Sequence, residues 1–231
     1  MNNHTTVVPA SESEADLTAA AVYDTIHNRL FADPVILGRY PDAAAFGLPE
    51  QPVEDGDLEL IGARSDFYGI NYYNPTTIAA AADGPVPFDL LPTPGAAVTG
   101  FGWPIVPGAL TELLVETRRR YGDALPPLII GENGASFPEP DRVAGPLDDA
   151  DRIAYLAGHI GAVAAARAHG VDVREYTVWS LLDNVEWAEG FTQRFGIVHV
   201  DHETSARTPK VSFDWYRALI AQAHASAEAR A

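Results

Sequence analysis

The sequence predicts an α/β fold, on three observations. Short apolar runs alternate with longer amphipathic ones in the order βα, βα, βα, βα. Glycine or proline marks several of the boundaries, as at Gly122, Gly170 and the paired Pro126 and Pro127. The long loops follow the strand-like runs, not the helices. Four βα units imply parallel strands with helices outside. They amount to half of an eight-stranded (β/α) barrel, whose chemistry sits on the loops after its strands, or to a flavodoxin-like open sheet. Pattern alone leaves both open.

In chain order, a short apolar run at His4–Val8 leads into Ser11-x-Ser13-Glu14, which resembles a capping box. A helical stretch follows from about Ala15 to Leu30, and then a loop rich in Pro and Asp. Asp66–Tyr73 (DFYGINYY) has the aromatic and β-branched content of a strand. Its alternation puts Gly69, Asn71 and Tyr73 on one face and Tyr68, Ile70 and Tyr72 on the other. Asn74 to Pro107 reads as one long Pro/Gly-rich loop, a length that usually carries function. Leu110–Tyr121 reads as a helix stopped by Gly122, and Leu128–Ile130 begins the next strand. Asp149–His169 is the clearest helix, with Ile153, Leu156, Ile160 and Val163 on one face. Val173–Leu182 is a strand, and a last helix runs from about Ser212 to the end.

Composition narrows the function classes. The chain is 47% hydrophobic and 20% charged, as in globular proteins. With 15 Lys plus Arg against 32 Asp plus Glu, its formal net charge is −17. Nucleic acid and anionic membrane surfaces would be repelled, whereas a neutral substrate such as a sugar would not. The absence of cysteine excludes disulfides, thiolate nucleophiles and Cys-based zinc sites. No apolar run approaches the roughly 18 residues needed to span a bilayer. The first residues lack the basic-then-apolar layout of a secretory signal, so a cytoplasmic location is expected.

Three segments carry candidate chemistry. In Pro127-Leu-Ile-Ile-Gly-Glu132-Asn-Gly-Ala-Ser136, one carboxylate directly follows an apolar run, and the Asn-Gly is expected to force a tight turn that leaves Glu132 at the strand's C-terminal end. A carboxylate there suits a nucleophile or an acid/base; the plain alternative is a Glu capping the next turn. From Trp179 to Glu189, eleven residues hold two Trp and three carboxylates. Carboxylates accept hydrogen bonds from vicinal hydroxyls, and indole faces stack on the C–H face of a pyranose. A buried aromatic cluster with solvated acids is the alternative. In DFYGINYY, Asn71 and Tyr73 at a strand end can bond a nearby carboxylate, or simply tip an ordinary core strand.

Together these segments resemble family 1 glycosidases, mainly β-glucosidases. The resemblance rests on DFYGINYY, LIIGENG, REYTVWSLLDNVEWAEGFTQRFGIVHVD and RTPKVSFDWY, with weaker similarity back to Phe31–Tyr40. It implies that residues 1–231 are a partial glycosidase domain, the C-terminal half of a (β/α)8 TIM barrel with strands five to eight and their helices. Asn2 is similar to the asparagine ending the fifth strand. The resemblance places Glu132 on the nucleophile and Tyr73 on the tyrosine that hydrogen-bonds it. Asn71 matches an asparagine near the catalytic carboxylates, Trp179 the platform under the glycone, and Glu186 and Trp187 the readers of its hydroxyls. Phe195 closes that subsite, and Trp103 lies on the aglycone side. His4, Arg64 and the other histidines are expected to be solvated or structural.

Gly131 stands where the family has Thr or Ser, and Asn74 where it has a small hydroxyl residue. The Thr-x-Asn-Glu-Pro motif of the acid/base is absent, as are the N-terminal Gln and the His-Trp pair. The resemblance therefore implies a retaining β-glycosidase acting on terminal β-D-glycosides through a covalent intermediate on Glu132. A complementary N-terminal half would be needed for full activity, and self-association is expected of the open sheet edges. The alternative is a non-catalytic half-barrel that binds sugar or self-associates. No cofactor and no metal are called for.

Overall fold

A computed structural model describes residues 2–47, 49 and 51–228, with side chains to residue 226. The chain starts with two short strands, β1 (Asn2–His4) and β2 (Val7–Pro9), followed by α1 (Glu14–Asp24) and α2 (Leu30–Leu37). Next come α3 (Asp57–Ile61), β3 (Tyr68–Tyr72), β4 (Thr76–Ala80), β5 (Phe88–Leu91) and α4 (Pro107–Tyr121). The last third holds β6 (Leu128–Asn133), α5 (Ala150–Ala168), β7 (Val173–Val178), the hairpin β8 (Val198–Val200) and β9 (Arg207–Pro209), and α6 (Val211–Glu228). No described helix is long and apolar enough to cross a membrane.

The main sheet is parallel throughout, in the order β1-β3-β6-β7. Strand order follows chain order without the reversal that defines a flavodoxin-like sheet, so that alternative is excluded for the described strands. The helices that cover this sheet, α2, α4 and α5, pack on one face. Ala32 of α2, Leu110 and Leu114 of α4, and Ala162 and Val163 of α5 cover Tyr68, Ile70, Tyr72, Leu128 and Ile130. The opposite face, carrying Asn71, Ile129 and Glu132, is only half buried. The alternation expected along DFYGINYY is thus realised: Tyr68, Ile70 and Tyr72 face the helices.

Several expected elements differ. The apolar run His4–Val8 is split between two sheets, because Thr5 turns away to bond Asn28 Oδ1 through its backbone N–H (3.1 Å). The first helix does not stop near Leu30: a π-helical turn, Thr25–Arg29, joins α1 to α2, which carries Pro34 and ends on left-handed Gly38. Its start is capped by Ser13, whose Oγ accepts from Asp16 N (3.1 Å). Residues 74–107 are not all loop. They contain β4 and β5, which join β2 in a second sheet packed on α1 through Ala19, Ala20 and Ile78. The strand expected over Val173–Leu182 ends at Val178. The final helix is described to Glu228, and the residues expected to continue it to the end lie outside the described ones.

Candidate active site

The functional side chains expected from the sequence converge at the C-terminal ends of the parallel strands. Asn71 lies in β3 and Tyr73 just beyond it; Glu132 is the penultimate residue of β6; Trp179 directly follows β7. Glu186, Trp187 and Phe195 come from the loop after β7, and Trp103 from the loop before α4. All eight line one open cleft of about 610 Å3.

Glu132 reaches this face because of a bulge. By strict alternation it would share the helix-covered face of Leu128 and Ile130. The register, however, steps from Ile70↔Ile130 to Asn71↔Glu132, leaving Gly131 unpaired. An extra residue in one strand flips the residues beyond it to the other face, so Glu132 turns into the cleft while Asn133 is fully buried. The next glycine has a different task from the one expected. Gly134 is not among the positive-φ residues and makes no left-handed turn. A Cβ there would lie 1.7 Å from the Trp179 carbonyl oxygen. Gly134 lets the ends of β6 and β7 touch, and Trp179 N donates to Asn133 O across that contact (2.9 Å).

The Tyr73 hydroxyl donates to Glu132 Oε2 at 2.7 Å. Burial, the bond to Glu132 and its negative charge together push the Tyr73 phenol far above its ordinary range, so it remains a donor. Trp179 Nε1 donates to Glu186 Oε1 at 3.1 Å. The Glu186 carboxyl is raised above the usual range by burial first, opposed by that indole bond and reinforced by the charge of Glu132. Tyr73, Trp103 and Phe195 form an aromatic wall, with ring centroids 5.1 Å (Tyr73–Trp103), 6.1 Å (Trp103–Phe195) and 6.4 Å (Tyr73–Phe195) apart. Trp187 is 96% exposed and sits at φ 32°, in the left-handed region. A large apolar side chain with no packing on a strained backbone marks a site of function more readily than of stability. Asn71 Oδ1 is buried in the same cleft without a hydrogen-bond partner.

Sequence reading missed what holds the loops. Beside the cleft lies a buried ionic cluster of Arg152, Arg194 and Lys210 with Glu139, Asp149 and Asp183, and exposed Asp141 adds a fourth carboxylate at its rim, 3.2 Å from Arg194. Asp183 accepts from Gly196 N (2.9 Å), Val200 N (3.2 Å), Arg194 (3.1 Å) and Lys210 (3.2 Å), pinning the loop that carries Glu186, Trp187 and Phe195. Burial and the Arg152 charge depress the Lys210 ammonium pKa, while Glu139 and Asp183 oppose the shift. The only local signal was Asp149 three residues before Arg152, one helical turn. His4, at the edge of the same cleft, has both ring nitrogens engaged, by Tyr68 OH (2.8 Å) and Asn28 Oδ1 (3.1 Å). The Asn74 side chain donates Nδ2 to Pro75 O (2.8 Å), and its carbonyl accepts from Thr5 Oγ1 (2.8 Å). Among the described residues no cluster of three or more His, Cys, Asp or Glu could hold a metal ion.

The family model for glycosyl hydrolase family 1 matches residues 1–225. The chain belongs to glycosyl hydrolase family 1. This family 1 chain is 41% identical over 224 residues to a β-glucosidase of an Agrobacterium species, covering 95% of itself and 48% of that relative. It is 41% identical over 228 residues to a bifunctional β-D-glucosidase/β-D-fucosidase of Bifidobacterium breve. Among solved structures, it superposes on a family 1 β-glucosidase of Exiguobacterium antarcticum with a TM-score of 0.89 at 34% identity, covering 97% of this chain and 51% of that one. The family 1 chain spans about half the length of the relatives it matches.

Proposed function

We propose that this family 1 chain, residues 1–231, is the part of a retaining β-glycosidase that supplies the nucleophile and the glycone site, with β1, β3, β6 and β7 as strands five to eight of a (β/α)8 barrel. One observation carries the reading: a bulge aims Glu132 into an open cleft, where Tyr73 holds one carboxylate oxygen at 2.7 Å and leaves the other free. In a retaining mechanism such a carboxylate attacks the anomeric carbon, the glycosidic bond breaks, and water later releases the sugar. Glu186 and the three tryptophans supply the hydrogen-bond acceptor and stacking faces that a pyranose needs. Two solved structures similar to this chain support a β-glucoside as substrate: the virulence factor SghA in complex with its substrate analogue salicin, and a Thermotoga maritima β-glucosidase in complex with glucoimidazole.

Retention requires a second carboxyl about 5–5.5 Å from the first to protonate the leaving oxygen. Glu186 is the acidic residue that shares the cleft with Glu132, and its Oε1 is engaged by Trp179. We therefore propose that a complementary half, closing on the open face and on the free edges of β1 and β7, provides the acid. Steady-state kinetics with a nitrophenyl β-glucoside test this. The chain alone turns over slowly, because general acid catalysis contributes about 10² to 10⁴ and lost substrate contacts add to that. Adding the N-terminal half of the Agrobacterium relative raises the rate. Ordinary β-glucosidase rates from the chain alone would overturn the need for a second half.

A further inference from the structure

We propose that Arg152 is a positioning residue for this site, fixing the loop after the Glu132 strand against the loop that carries Phe195. Arg152 stands in the first turn of α5, outside the cleft, and is 1% exposed. All five of its N–H donors are used. Nε donates to Asp149 Oδ2 (2.9 Å); Nη1 donates to Ala135 O and to Phe195 O (3.2 Å); Nη2 donates to Glu139 Oε1 and to Arg194 O (3.0 Å).

Glu139 and Asp149 already compensate the charge, so balance does not require the three carbonyls. What they do require is a planar fork with donors on several sides, which lysine lacks. The three carbonyls belong to the two site-bearing loops. Ala135 lies three residues past Glu132. The adjoining Ser136 ties in both neighbours: its Oγ bonds Gln193 (2.7 Å), and its carbonyl accepts from Gly100 N (2.7 Å) in the Trp103 loop. Releasing Arg152 would let the nucleophile strand, the Trp103 loop and the Phe195 loop move independently. A merely structural cation would bond the core, not the backbone of the loops that shape the cleft. The functional half of this inference rests on the glycosidase reading; the mechanical half does not.

The test pairs hydrogen exchange with ligand binding in the full chain. In Arg152→Met, amides of the tied loops (Gly100, Trp179, Ile197) exchange about tenfold faster or more, as loss of a charge-assisted hydrogen bond predicts. Amides at the foot of the sheet, Tyr68 and Leu128, keep their protection. Arg152→Lys retains the charge and gives the same local pattern, weaker, and decides the matter if the methionine variant does not fold. Glucoimidazole affinity, read by calorimetry, falls in step with the loop amides. In Arg152→Ala it is restored by millimolar methylguanidinium but not by methylammonium, entering through the cleft of about 210 Å3 beside Glu139 and Asp149. Faster exchange spread evenly over loops and sheet, or none anywhere, overturns the proposal, as does equal rescue by methylammonium. Binding is measured with the chain complemented by the N-terminal half of the Agrobacterium relative; a wild-type chain that fails to bind glucoimidazole even so counts against the glycosidase reading alone, because the exchange pattern still decides the role of Arg152.

Discussion

Two buried histidines, His4 and His159, should make this fold less stable as the pH falls below about 7. His159 in α5 is fully buried, stacked on Tyr155 at 4.0 Å, with Nδ1 2.8 Å from Tyr155 O. His4 is 6% exposed beneath Tyr68 and Asn28. Burial pushes each down from 6.5 to about 4, against the smaller opposing effect of its hydrogen bond. The unfolded chain thus binds protons near pH 6.5 that the folded chain refuses until about pH 4. Stability from the neutral imidazoles is complete above the unfolded pKa and is lost as pH falls toward the folded one. Each shift of 2.5 units is worth about 3 kcal/mol in full, of which about 2 kcal/mol per histidine is lost between about pH 7 and pH 5. Urea denaturation across that window measures the slope. His159→Asn, which keeps a donor near the Nδ1 position, should flatten it by about 1.2 kcal/mol per pH unit near pH 5. Comparing slopes cancels both the carboxylates and any constant cost of the substitution. An unchanged slope would show that His159 titrates normally in the folded protein, and the burial argument would fail.

Three further substitutions separate packing from charge. Gly134→Ala places a Cβ against the Trp179 carbonyl, an immovable backbone atom. It should cost at least about 3 kcal/mol, whereas Gly161→Ala, in an exposed stretch of α5 with nothing within 4 Å, should stabilise by about 0.5–1 kcal/mol; thermal melts of both variants check the contrast. Lys210→Met leaves Glu139 and Asp183 short of one cation in a buried cluster, so a loss of about 3–5 kcal/mol in urea titration is expected.

Local pattern made parts of this molecule legible. Three strands of the main sheet, β3, β6 and β7, announced themselves as aromatic or β-branched runs, and α5 through its apolar stripe, whereas β1 (NNH) precedes the apolar run His4–Val8 and carries no such pattern. The candidate site was readable because its residues sit in contiguous segments, such as Trp179–Glu189, where indoles and carboxylates crowd together without a basic neighbour. The features that stayed hidden depend on partners far along the chain. β4 (TTIAA) and β5 (FDLL) are short and weakly patterned, and β4 exists because Val7–Pro9 offers it an edge. The residues after Leu30 read as a loop rich in Pro and Asp, yet the helix passes through Pro34 after a π turn. Gly131 read only as a departure from the family pattern and is the bulge that turns Glu132 toward the cleft. Asn-Gly looked like a turn, but glycine is needed there because of the backbone of Trp179, more than forty positions away. The ionic cluster assembles residues from 139 to 210, and no spacing rule connects them.

Glu132 as nucleophile is the central claim, and covalent trapping tests it most directly. The chain, complemented with the N-terminal half of the Agrobacterium relative, would be incubated with a 2-deoxy-2-fluoro-β-glucoside bearing a dinitrophenolate leaving group. The fluorine slows both steps, while the activated leaving group keeps the first fast enough for the intermediate to accumulate. Peptide mapping by mass spectrometry should then find one fluoroglucosyl group, on Glu132, and none in Glu132→Ala. A label on Glu186 or Glu189, or sustained turnover with Glu132 unlabelled, would contradict the account.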